Sequence, residues 1–422
     1  MKRIEKIKNS TLGRGLFAAR SAIRMLPSVL NGDENPTEMF KSLIGKSIDQ
    51  FVNEVGELKG SLLKAAQILS LYGEYYLPSE VNEVLKKVQS QGHYLGWDKI
   101  SPFISEKIKK DFTIDELPIA AASIGQVHRA KHRQTSKEVV LKIQYPGVKK
   151  AIDLDIKMIK SFLSLGKFLP QKMNLDPIYG EIRRVLMEEM DYELECKKHI
   201  HYKEIMANVK GIHVPEVYSE YSDDKVIVSE YIQGTSFSDL DKMNLSQAER
   251  NHLGASFFFL FFKEIFGGDL IQTDCHAGNY LYRDGELVLI DFGATLYYPE
   301  KTLTQYRELI RTVYNGEREK FFKVLWSVSD DKIELNQDLL WEYCLLAASP
   351  LSSEDFDWAS TTLPDDISPK ASQLMKTSRI DSPPHQFIFL DRKLLGLFSM
   401  LRLLKARFNV KAIVEDFMGK EK

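Results

Sequence analysis

At 422 residues, with 44% hydrophobic and 27% charged side chains, the chain is long enough for more than one lobe with its own core and has an ordinary soluble, globular composition. A net charge of −2 provides no basic field for nucleic acid and no acidic tail. Cys196, Cys275 and Cys344 are widely spaced, form no metal-type pairs and fit a reducing, intracellular compartment. No stretch approaches the roughly 20 apolar residues that span a bilayer. The nearest, Ala255–Phe262, is stopped by Lys263 and Glu264 and reads as a buried helix.

Residues 1–30 form a basic segment, with Lys2, Arg3, Lys6, Lys8, Arg14, Arg20 and Arg24 against Glu5. Leu12, Leu16, Phe17, Ile23 and Leu26 recur between them at near-helical spacing, which predicts a basic amphipathic helix. Such a helix suits an anionic membrane surface and the body of the protein equally. The basic residues run through the segment instead of preceding an apolar run, so it is no secretory signal. Its Arg-rich, acid-poor character also resembles a mitochondrial transit segment, which leaves a cytoplasmic protein, a peripheral membrane protein or, in a eukaryote, a mitochondrial one.

Residues 31–115 read as a helical extension. Within Gly60–Leu71, Leu62, Leu63, Ala66 and Leu69 keep the helix period, and Lys64 and Gln67, three apart, share one face. Composition alone would put that face in solvent. Leu77–Glu80 signals the start of another helix. Residues 116–233 change to strand period: Val127–Arg133 and Glu138–Tyr145 read as a hairpin around Gln134–Ser136. Asp191–Lys198 belongs to a charged helix, and Val214–Tyr221 with Lys225–Tyr231 reads as a second hairpin. Residues 234–422 are mainly helical. Ser246-Gln-Ala-Glu249 is a capping box for a helix ended by Gly267-Gly268, two short strands flank Asp284-Gly285, and Ser349–Pro384 is a polar interruption.

The chemistry concentrates in Gln272-Thr-Asp-Cys-His-Ala-Gly-Asn279 and Leu287-Val-Leu-Ile-Asp-Phe-Gly293. An Asp and an Asn five apart, then Asp-Phe-Gly after a hydrophobic strand, is how protein kinases hold nucleotide phosphates through Mg²⁺. In that reading Asp274 is the catalytic carboxylate, and Asn279 and Asp291 are hard oxygen ligands for Mg²⁺. In the bland reading Asp274 and Asn279 form turns and Asp291 caps a helix. Lys142, in Val139-Val-Leu-Lys-Ile143, has the strand context of a phosphate-gripping lysine. Glu195 is its best-placed partner, and spacing leaves Glu188, Glu189 and Glu193 open. Glu230, Tyr231 and Ile232 fall where a hinge offers backbone groups to adenine. Ala120, Ala121, Ala122 and Ser123 occupy the place of a glycine-rich phosphate loop. Alanines restrict the backbone that glycines free, so this loop should hold ATP and ADP differently from a kinase loop.

Together, Ala120–His128, Lys142-Ile-Gln-Tyr-Pro-Gly147, Asp191-Tyr-Glu-Leu-Glu195 and Gln272-Thr-Asp274 with His276, Gly278 and Asn279 resemble the UbiB/ADCK family of atypical protein-kinase-like proteins, which support ubiquinone biosynthesis. The resemblance covers roughly Phe51 to Asn409. It implies an α/β (α+β), bilobal protein-kinase-like fold with an N-terminal helical extension, binding Mg²⁺ with ATP or ADP. It also implies an atypical kinase or ATPase acting on a small or lipid-like substrate, such as a quinone precursor, at a membrane with other quinone-biosynthesis proteins. Lys64-Ala-Ala-Gln67 stands where the family reads Lys-x-Gly-Gln, which assigns Lys64 and Gln67 to occluding protein substrates and contacting the active site. Asp-Cys-His-Ala replaces the family's Asp-Pro-His-Pro; this loosens the loop and leaves Asp274, His276, Gly278 and Asn279 intact. Cys275 reads as an inert loop thiol. The alternative is a nucleotide-gated scaffold or lipid-binding chaperone without catalysis.

Overall fold

The computed structural model describes residues 2–4, 61–76, 93–165, 176–328, 336–377 and 385–419. The chain divides into two units, one of residues 1–196 and 217–231, the other of residues 197–216 and 232–422. The helix expected at Leu77–Glu80 and most of the basic amphipathic segment lie outside the described residues. Lys2–Ile4 is a short strand, paired in parallel with His93–Leu95, and so departs from the helix expected there.

In the first unit, helix α1 (Ser61–Tyr76) places Leu62, Leu63, Ala65, Ala66, Ile68 and Leu69 all in the interior. Apolar residues on every side make a buried helix and not a surface one. It packs against α2 (Val148–Leu165) and α3 (Asp176–Glu189). A break at Met190-Asp191 separates α3 from α4 (Tyr192–Met206). There the Asp191 carboxylate accepts the Leu194 N–H at 3.0 Å, a side-chain cap that starts the new helix.

The antiparallel sheet of this unit runs β1 (Phe112–Ile114), β3 (Gly125–His132), β4 (Glu138–Gln144) and β5 (Val226–Glu230), with β2 (Ala120–Ala121) also on β3. The β3–β4 hairpin forms where the sequence pattern places it, and its turn includes Ser136 at φ +58°. Along β4 the period of two buries Val139, Leu141 and Ile143 and turns Val140, Lys142 and Gln144 to the other face. The second expected hairpin is only half formed. Pro215 has no N–H for a ladder, Ser219–Tyr221 curls into a 3₁₀ turn, and the segment meets β5 through a single bridge, Val217 to Ser229.

The second unit is built on α5 (Gln247–Gly267), whose Ser246–Glu249 capping box is intact and whose Phe257, Phe258, Phe261 and Phe262 are buried. Helices α6 (Glu300–Tyr314), α10 (His385–Leu404) and α11 (Val410–Met418) pack on it, α7 (Arg318–Val328) and α8 (Gln337–Ala348) pack on α6, and α9 (Leu363–Thr377) packs on α8. Helix α9 corrects the expected polar interruption: Leu363, Ile367, Ala371 and Leu374 make a buried helical stripe among polar neighbours. Two strand pairs carry the loops that matter here. β6 (Leu270–Gln272) pairs with β9 (Thr295–Tyr297), and β7 (Tyr280–Arg283) pairs with β8 (Glu286–Leu289), all antiparallel. Asp284 and Gly285, at φ +49° and +89°, make the tight β7–β8 turn with both central residues left-handed.

Candidate functional site

In the first unit, Lys142 and Gln144 reach the α3–α4 junction from one face of β4. Gln144 donates to the Met190 carbonyl at 3.0 Å, and Lys142 Nζ stands 2.6 Å from Glu195 Oε1 and 5.5 Å from the Tyr192 ring centroid. Of the four glutamates left open by spacing, Glu195 is therefore the one at Lys142. Glu193 is exposed, as two residues on a helix point roughly 200° apart. Glu188 pairs with Arg184, and Glu189 pairs at 2.9 Å with Lys64. Both side chains of the Lys64–Glu189 pair are 8% exposed, so Lys64 lies inside and not on a solvent face; Gln67 is half-buried.

Ala120 to Ser123 are part of a β-hairpin. Ala120 and Ala121 pair with Val127 and Gln126, and the Ala122 N–H donates to the Gly125 carbonyl at 2.8 Å. A Cβ at Gly125 would come 2.6 Å from the Ile143 carbonyl oxygen and 2.8 Å from the Tyr192 hydroxyl, so glycine is needed there for close approach. Beneath the hairpin, Gln126 bonds both backbone groups of Leu95, at 2.9 and 3.1 Å, as a strand neighbour would. His128 Nδ1 donates to the Asp115 carbonyl at 2.7 Å and its Nε2 faces the Gln126 amide at 2.8 Å, which defines a one-proton ring. Burial holds its proton affinity below the usual histidine range, with Asp115 opposing. At the hinge position, Glu230 pairs with Val139 and the Tyr231 N–H is committed to the Glu138 carbonyl. Ile232 is buried in the second unit.

In the second unit, strand pairing gathers residues distant in sequence. Gln272 opposite Thr295 and Tyr280 opposite Leu289 bring the loop carrying Asp274 and Asn279 beside the one carrying Asp291. The Thr273 N–H donates to the Ala294 carbonyl at 3.0 Å, and the Ile290 N–H donates to the Asn279 carbonyl at 3.0 Å. Asn279 spends an amide N–H on the Asp274 carbonyl at 2.9 Å, so its own carbonyl oxygen is the group left to act as a hard ligand. Asp291 Oδ1 accepts the Gly293 N–H at 2.9 Å in a tight turn, and β9 follows, so Asp291 is not a helix cap. Phe292 is buried under His199, with ring centroids 4.0 Å apart. Among the described residues no three His, Cys, Asp or Glu side chains form a metal cage. The Asn279 and Asp291 oxygens suit Mg²⁺, which is usually held by few protein groups plus phosphates and water.

Sequence reasoning missed the support behind Asp274. Glu264 and Lys393 form an ion pair at 2.5 Å with side chains 0% and 3% exposed. Glu264 also accepts the Gln272 N–H at 2.9 Å and the Tyr202 hydroxyl at 2.7 Å, and Lys393 donates to the Gln272 carbonyl at 2.6 Å. Arg392 donates to Asp274 Oδ1 at 2.5 Å. The usable signal is a charge inside an apolar helical face: Lys393 lies between Leu390 and Leu397, and Glu264 lies between the phenylalanine run and Ile265. Burial pushes the Cys275 thiol up to about 11, which keeps it protonated and inert.

A family model, described as the ABC1 atypical kinase-like domain, matches residues 87–325, more than half of the chain. The chain belongs to the ABC1 family. Its similarity to curated members extends beyond the matched domain. The mitochondrial atypical kinase COQ8 of Saccharomyces cerevisiae is 30% identical over 422 aligned residues, 96% of this chain and 82% of that protein. The Caenorhabditis elegans coq-8 protein is 29% identical over 87% of this chain, which spans only 50% of that relative. The structure of an Rv3197–erythromycin complex from Mycobacterium tuberculosis aligns with a TM-score of 0.58 and 23% identity, covering 92% of this chain and all of that one. That likeness bears on the fold alone. With the family model it establishes a protein-kinase-like ABC1 fold, mixed α/β with a helical N-terminal region, as the sequence motifs implied.

Proposed function

We propose that this ABC1-family chain binds a Mg²⁺ nucleotide, ATP or ADP, and works as an atypical kinase or ATPase in isoprenoid quinone (ubiquinone) biosynthesis. The observation that carries the reading is the convergence of Asp274, Asn279 and Asp291 through two strand pairings. In this reading Lys142, oriented by Glu195, gives its ammonium to phosphate oxygens, and the Ala120–Ser123 hairpin covers the phosphates. Glu230, Tyr231 and Ile232 border the adenine, and Asn279 and Asp291 hold Mg²⁺. When bound, Mg²⁺ supplies charge neutralisation across the phosphates. Asp274 orients the attacking hydroxyl or water and accepts its proton. Lys64 and Gln67 keep protein substrates out, which favours a small, lipid-like substrate. The mitochondrial names of the two relatives and the basic residues 1–30 support action at an organelle membrane, beside other quinone-biosynthesis proteins.

Binding without turnover, in a nucleotide-gated scaffold or lipid chaperone, is favoured by one observation: Asp274 already carries an arginine counter-ion. ATP hydrolysis by the purified chain, with anionic liposomes and a quinone-precursor mimic, separates the two readings. The enzyme reading expects Asp274→Asn to lower kcat by about 100-fold, in the usual range for a catalytic acid–base group. Equal turnover in wild type and variant discards it, and robust phosphorylation of generic proteins would point to an ordinary protein kinase.

A further inference from the structure

Helix α10 presents three residues to one loop. Arg392 reaches the Asp274 carboxylate, Lys393 reaches the Gln272 carbonyl, and at Gly396 a Cβ would come 2.8 Å from Cys275 Cβ and 3.0 Å from the Cys275 carbonyl oxygen. At about 100° per residue these positions fall within one arc of about 100° on the helix surface. Gln272, Asp274 and Cys275 are thus gripped from one side, at a carbonyl, a carboxylate and a backbone step. The loop also holds Asp274 from within, since the Asn279 and Gln272 amides both donate to its carbonyl at 2.9 Å. What the loop lacks is a cation for the carboxylate, and Arg392, 18% exposed against 12% for Asp274, supplies it from outside.

We propose that Arg392 is a positioning residue for Asp274, fixing the orientation of the carboxylate through a planar, permanently charged donor. The inference rests on reading Asp274 as the catalytic carboxylate. It adds that α10, far from the catalytic loop in sequence, fixes where that carboxylate points. A planar guanidinium fixes direction as well as charge, whereas an ammonium offers a point charge on a flexible stem. Arginine and lysine should therefore differ in effect at this position.

The test is a double-mutant cycle on the full chain with Mg-ATP, comparing wild type, Arg392→Ala, Arg392→Lys, Asp274→Asn and the Arg392→Ala/Asp274→Asn pair. Turnover and nucleotide affinity are measured on each. Arg392→Ala should lower kcat about tenfold while KM for ATP moves less than about threefold, the split of a residue acting on the chemical step. Arg392→Lys should recover part of the loss and keeps the test open if the alanine variant folds poorly. In the Asp274→Asn background the arginine change should alter kcat by less than about twofold, since coupled residues lose their separate effects. Nucleotide binding by wild type without any turnover removes the catalytic role of Asp274 and the inference with it. An equal effect of Arg392→Ala in both backgrounds, or none in either, overturns the inference and leaves the role of Asp274 standing. Turnover and affinity unchanged by Asp274→Asn alone would remove that role and the inference with it.

Discussion

Replacing Lys393 with methionine removes one half of the most buried ion pair among the described residues of the second unit. The ammonium stands 2.5 Å from Glu264, with both side chains at 3% exposure or less. Without it, the Glu264 carboxylate keeps the Gln272 N–H and the Tyr202 hydroxyl but has lost its compensating charge. Removing one partner of a buried pair typically costs about 3–5 kcal/mol, because the remaining charge is stranded. Burial raises the proton affinity of Glu264 and Lys393 is the largest opposing pull, so losing Lys393 removes the main group that favours the charged carboxylate. Adding Glu264→Gln keeps an acceptor for both donors and removes the stranded charge, and the double variant should return to within about 2 kcal/mol of wild type. Urea unfolding followed by tryptophan fluorescence suits the measurement, since Trp326, Trp341 and Trp358 all lie in the second unit. A cost below about 1 kcal/mol for Lys393→Met, or a double variant no more stable than the single, would refute the argument from burial.

Two further predictions concern the first unit. Gly125→Ala should destabilise by about 1–3 kcal/mol, the usual cost of overpacking, because the added methyl meets the Ile143 carbonyl and the Tyr192 hydroxyl inside contact distance. A thermal midpoint equal to wild type would contradict that geometry. The buried, one-proton His128 has its folded proton affinity below the unfolded one, so its contribution is complete above the ordinary histidine value of 6.5 and is lost as pH falls below it. Melting of wild type should therefore weaken on acidification more than melting of His128→Leu, and parallel pH profiles would exclude His128 as the cause.

Local patterns carried much of the architecture. The period of two along Val139–Ile143, the capping box at Ser246 and the turn at Asp284-Gly285 each depend on residues a few positions apart, and each forms where its pattern lies. Helix α9 escaped because its buried stripe of four is thin among serines, aspartates and prolines. The Val214–Tyr221 strand was over-read because apolar alternation says nothing about whether a ladder partner is in place; most of that segment finds none along β5.

The sequence by itself determined the family motifs and the identity of Lys142, Asp274, Asn279 and Asp291 as the groups to examine, since motif spacing is local. Only the tertiary structure decided which charges meet. It put Glu195 and not Glu189 at Lys142, gave Glu189 to Lys64, and brought Arg392 and Lys393 to a loop more than 100 residues earlier in the chain. The physical reason is that an ion pair needs a few ångströms of proximity, and at such separations proximity is set by how helices and strands pack, which leaves no period in the sequence.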